Sequence, residues 1–225
     1  MMDWTAFGLS LQLAAWTVAL LLPIATLIAR LLAWGDFRGK SLVEALIMLP
    51  LMLPPTVLGF YLLVAFSPQS AFGNFLTSIS GSPVAFTFAG VLMASLIINL
   101  PFAVQPIQRA FEAIPRNVRE AAFVSGLSRW ETMRRIELPL AWPGIISAVA
   151  LTFAHTLGEF GVILMIGGSI PGETRVLSIS IYESVQAFRI DQAGVMSAVL
   201  LGFSIAAIAI VHMLARRPKV GAHDA

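Results

Sequence analysis

The 225-residue chain has no cysteine, which excludes disulfides, thiol catalysis and cysteine-ligated metals. Charge is scarce too. Asp, Glu, Lys and Arg make up 12% of the residues, against roughly a quarter in a soluble globular domain. The stretch 67–82 carries no charged side chain. With a mean hydropathy of +0.86, this composition points to a lipid environment. A pI near 9.5 would suggest nucleic acid in a soluble protein. Here the net charge is only +2 and the basic residues fall between apolar runs, so the expected surrounding is membrane lipid and no nucleic-acid partner is expected. The start, Met1-Met2-Asp3-Trp4, has no basic flank, and the apolar run behind it is too long for a signal-peptide core, so it is expected to be retained as a span.

Two further absences narrow the chemistry. Gly35-Asp36-Phe37-Arg38-Gly39-Lys40-Ser41 approaches a phosphate-binding loop but has three residues between its glycines, and an apolar run precedes it. That loop needs four residues there and a strand before it, so no ATPase site is expected on this chain. His155 and Glu159 share a helix face, with His212 the other intramembrane candidate, but no HExxH motif or third ligand accompanies them. No metal site is expected.

Five apolar runs are present, at about 7–33, 42–66, 84–104, 140–167 and 193–215. Each reaches or exceeds the ~20 residues that cross a bilayer as helix. The fold class expected is an all-α integral membrane protein forming one domain over 1–225. Prolines at 23, 50, 54, 55 and 101 should kink or end helices. The Leu49–Pro55 cluster makes the second run the expected broken helix. Arg30, Arg38 and Lys40 lie at or after the end of the first run, and six arginines (109, 116, 119, 129, 134, 135) separate the third and fourth. Arg216, Arg217 and Lys219 follow the fifth. Twelve of the fourteen basic residues thus lie in loops of one parity. The positive-inside bias then places the N-terminus outside, the C-terminus in the cytoplasm, the segment 109–139 inside and the loop 169–192 outside.

The inner segment reads as a helical hairpin. Asn117 as N-cap with Glu120 three residues on suggests a capping box. Ala121 and Ala122 are small enough for another chain to approach closely. Gly126 suits a left-handed helix end, Ser128 a second cap, and Glu131–Arg135 an i,i+4 pair on a second helix. In the fourth run, Glu159 is the one acid deep in an apolar stretch, in the string Gly158-Glu159-Phe160-Gly161. An ionisable group at that depth faces a cavity or a partner helix, and the two glycines suggest close helix packing.

Glu120, Ala121, Ala122, Gly126, Ile136, Leu138 and Pro139 fall in the pattern EAA-x3-G-x9-I-x-L-P, which resembles the cytoplasmic signature of permease subunits of ABC importers. Gly158-Glu159-Phe160-Gly161, followed by Ile170-Pro171-Gly172-Glu173-Thr174-Arg175, resembles the molybdate, tungstate and sulfate group of these, and the molybdate permeases most. The resemblance implies a type I importer permease in a bacterial inner membrane. It implies a homodimer with the path at its interface and an extracytoplasmic oxyanion-binding protein. It also implies two copies of an ATPase subunit, which carry ATP and Mg and contact Asn117 and the seven signature residues. Gly158, Glu159, Phe160 and Gly161 are translocation or gating candidates. Tungstate, sulfate or another oxyanion is the alternative cargo. Among other classes, a proton-coupled secondary transporter would use Glu159 but usually shows paired repeats, absent here. An intramembrane hydrolase would lack a nucleophile.

Overall fold

The computed structural model describes residues 2–215. Arg216, Arg217 and Lys219, which enter the charge count, lie outside the described residues, as does the side chain of His212. Helix α1 (Trp4–Trp34) is opened by Asp3, whose carboxylate accepts from the Ala6 amide at 2.9 Å. The second run is two helices, α2 (Lys40–Met52) and α3 (Pro55–Phe66), bent by 112° at the break. Pro54 and Pro55 cannot continue the ladder of α2, and Pro55 suits the first position of α3. A short α4 (Ala71–Ser80) leads to α5 (Phe88–Glu112), the third span, which extends about two turns past the end expected from hydropathy.

A hairpin of α6 (Arg116–Val124) and α7 (Arg129–Thr132) follows, then a π-helical stretch Met133–Glu137 and α8 (Leu138–Gly158). The fourth run continues in α9 (Gly161–Gly167), and α10 (Leu177–Gln186) precedes the final span α11 (Ile190–Ala215). Among the described residues, four helices are long and apolar enough to cross a bilayer, and the bent α2–α3 pair makes five.

Helices α1, α5 and α8 form the centre. Ala25, Ala29, Ala103, Ala141 and Ala148 are all buried there with Ile107 and Phe111. Small residues let these backbones approach where lipid offers no hydrophobic drive to association. A second cluster joins Leu58 and Phe66 of α3 to Ile98 of α5 and to Val162 and Ile166 of α9. The bundle has two distinct ends. Arg30, near the last turn of α1, meets the hairpin region, whereas Asp3 and Ser10 at its start meet Arg175 and α10. Thirty-one residues of helix put these ends about 46 Å apart.

Three expectations need correction. The stretch 169–192 is not simply a loop, because it contains α10, whose Leu177 and Ile179 are fully buried. The helix after Ser128 is not a separate element, because α7 runs through the π stretch into α8. The fourth span is broken, as the second is, at Glu159–Phe160.

Candidate functional site

The hairpin ends its first helix as the sequence indicates. Gly126 sits at φ +81°, and its amide donates to the Phe123 carbonyl at 3.0 Å while the Leu127 amide donates to Ala122 at 3.1 Å. These paired bonds close a Schellman motif and satisfy the carbonyls of the last turn. Ser128 then caps α7. It accepts from the Glu131 amide at 3.2 Å, and Glu131 accepts from the Ser128 amide at 3.0 Å, a reciprocal capping box. Glu131 also pairs with Arg135 at 3.7 Å.

The expected box at Asn117 is absent. Pro115, with φ fixed near −59°, is the N-cap, so Asn117 already lies inside α6 and is exposed, and Glu120 is an exposed residue farther along. The proline starts the helix before the polar side chain can cap it. Ala121 is exposed and Ala122 buried. Ile136 and Leu138 are half-buried, while Pro139 is exposed on the first turn of α8. Around the Gly126 turn the hairpin displays Phe123, Val124 at 89% exposure and Trp130 at 64%.

The sequence reading missed the group that holds this hairpin. Among the described residues, Glu137 is the one acidic side chain that is fully buried. Arg30 of α1 donates to it from Nε at 2.6 Å, and Arg119 of α6 donates from Nε at 2.8 Å. The Arg119 guanidinium also stacks over Trp34 at 3.9 Å. One carboxylate thus ties the hairpin, the start of α8 and the end of α1 together. A signal existed: Arg30 lies within the first apolar run, and a charge there needs a partner. Glu137 occupies an unspecified position of the signature, so the motif drew no attention to it.

At the other candidate, Glu159 ends α8 and its side chain caps α9, accepting from the Val162 amide at 3.2 Å. Its own carbonyl accepts from Ser178 Oγ of α10 at 2.7 Å. Phe160 occupies the break and packs on Tyr182, with ring centroids 4.7 Å apart. Gly161 meets the break of the second span, since a Cβ there would lie 3.0 Å from Pro55 Cβ. Gly158 does not do what its sequence context suggests. It is exposed and nothing lies within 4 Å of a Cβ placed on it. Its contribution is the helix end, not close packing.

The class of protein that this bundle of spans and its capped hairpin represent, a membrane subunit of a transport system, is shown by the family it matches. The chain belongs to the family of binding-protein-dependent transport system inner membrane components, whose model matches residues 21–220. It is 43% identical over 219 residues to the molybdenum transport system permease protein ModB of Azotobacter vinelandii, covering 97% of this chain and 96% of that protein. It is 36% identical over 184 residues to ModB of Escherichia coli, covering 82% and 80%. A bacterial ABC transporter that imports the acidic polysaccharide alginate shares the fold, with a TM-score of 0.78 and 21% identity over 96% of this chain and 79% of that one.

Proposed function

We propose that this chain is the permease subunit of an ATP-driven molybdate importer. The observation that carries the reading is the 43% identity to a molybdenum transport permease along nearly the whole of both chains. Two copies form the path at their interface. ATP and Mg are bound and hydrolysed by two separate ATPase subunits, which dock on the hairpin around Gly126. An extracytoplasmic oxyanion-binding protein delivers the cargo at the α10 end. ATPase closure moves the hairpins and switches the spans between inward and outward access as rigid bodies. The membrane is the bacterial inner membrane, with the N-terminus outside. The test is uptake of labelled molybdate by vesicles holding the permease, its ATPase and its binding protein. Uptake that needs ATP and is blocked by unlabelled molybdate supports the reading. Uptake of sulfate in preference to molybdate would assign the chain to the alternative cargo.

The orientation is tested separately. Ser82, in the α4–α5 connection, and Val124, on the hairpin, are both exposed, and the chain has no native cysteine. Ser82→Cys should react with a membrane-impermeant maleimide added to intact spheroplasts, and Val124→Cys only after permeabilisation. Labelling of both before permeabilisation would contradict the proposed topology.

A further inference from the structure

A polar chain crosses the centre of the bundle where the two broken spans meet. Thr17 of α1 and Ser95 of α5 share a hydrogen bond of 2.8 Å between hydroxyls, both buried. Asn99 Nδ2 donates to the Ser95 carbonyl at 2.8 Å. A carbonyl only accepts, so the amide nitrogen must face it, and Asn99 Oδ1 is left to accept from His155 Nδ1 at 3.1 Å. The His155 ring is further held by stacking on Phe102, with centroids 4.0 Å apart. Its Nδ1 therefore carries hydrogen. Its Nε2 faces Glu159 Oε2 at 3.6 Å.

A neutral imidazole protonated at Nδ1 presents a lone pair at Nε2, and an ionised carboxylate presents lone pairs at both oxygens. The other Glu159 oxygen already accepts from the Val162 amide. Two acceptors facing each other at the break of a span repel, with little solvent to screen them. One additional proton between them turns the contact into an attraction, on either partner. The pair borders a cavity of about 170 Å³ that Pro50, Leu53 and Pro55 of the second span's break line from the other side.

We propose that His155 and Glu159 share one proton beyond the one on His155 Nδ1 and form a net-neutral pair. His155 is the positioning residue, which keeps the Glu159 carboxyl in the cap of α9 and the break of span four seated on the break of span two. The consequence for transport rests on the permease reading above: a dianion passing this break would meet no fixed negative charge.

The pair is tested by two readouts in the full-length chain. One is molybdate uptake by the assembled complex. The other needs no transport: disulfide formation between cysteines placed at Pro55 and Gly161, whose 3.0 Å Cβ approach allows a bridge after a small shift. His155→Ala should lower both about fivefold, the factor carried by an ion-pair contact worth about 1 kcal/mol. Glu159→Gln alone should hold cross-linking within about twofold of wild type, because the amide retains an acceptor for Val162 and a donor for His155. The decisive variant is His155→Ala combined with Glu159→Gln. A neutral amide needs no proton from its neighbour, so the double variant should recover to the level of Glu159→Gln. Unimpaired His155→Ala, or a double variant as impaired as His155→Ala, overturns the proposal. Should His155→Ala fail to insert, insertion becomes the readout, and rescue or its absence decides in the same sense. A wild-type complex that takes up no molybdate would refute the transport reading and leave the cross-linking comparison standing.

Discussion

Glu137→Ala should detach the hairpin from the bundle and abolish ATPase-subunit association. The carboxylate is fully buried between Arg30 and Arg119, at 2.6 and 2.8 Å. Without it, two arginines whose side chains are only 24% and 20% exposed are left with no shared counter-ion. Removing one member of a buried ion pair costs about 3–5 kcal/mol, because the remaining charge is left uncompensated. The loss falls on the joint between α1, α6 and the π stretch, so it is felt first as a hairpin no longer held in one place. Glu137→Gln keeps acceptor geometry on one oxygen and should lie between wild type and alanine. Co-purification with the ATPase subunit and thermal unfolding of the solubilised permease measure the two effects. Wild-type melting and wild-type ATPase capture by Glu137→Ala would show that the ion-pair cluster does not hold the hairpin.

Gly126→Val should impair transport and the ATP hydrolysis that drives it while leaving the spans inserted. The residue lies at φ +81° with open space where a side chain would begin, so the cost is purely conformational. A left-handed backbone costs an ordinary residue about 1–2 kcal/mol, and a β-branched one more. To escape it the turn must give up the Gly126–Phe123 and Leu127–Ala122 bonds, which swings Phe123, Val124 and Trp130 away from their present arrangement. Asparagine tolerates the left-handed region best among side-chain-bearing residues. Uptake should therefore fall in the order Gly, Asn, Ala, Val, and binding-protein-stimulated ATPase activity should fall with it. Equal uptake by the asparagine and valine variants would remove the left-handed turn as the reason for glycine here.

The Gly126 turn, the Ser128 cap and the Glu131–Arg135 pair were all legible in the sequence, because each depends on residues within a few positions of one another. So were the five apolar runs and the break at Leu49–Pro55, where composition and proline chemistry act locally. Asn117 shows the limit of even a local argument. A cap was expected from its side chain, but the ring of Pro115 two residues earlier had already started the helix. The break at Glu159 escaped detection for a different reason. Flanking glycines with no proline read as close packing, whereas the chain ends α8 there because the Glu159 side chain is available to cap α9 and Ser178 to satisfy its carbonyl.

Sequence alone determined that this is a helical membrane protein, roughly where its spans lie, and that a capped hairpin separates the third from the fourth. Hydropathy, proline geometry and capping are properties of neighbouring residues, and they act whatever the rest of the chain does. Only the tertiary structure decided which polar groups distant in the chain are partners. Arg30 and Glu137 are 107 residues apart, and Asn99 and His155 are 56 apart. No periodicity or motif links them, because a buried ion pair or hydrogen bond is selected by where packed helices bring side chains together. In this chain α1, α5 and α8 approach closely through their alanines, and that approach is what places Arg30 on Glu137 and the asparagine on His155.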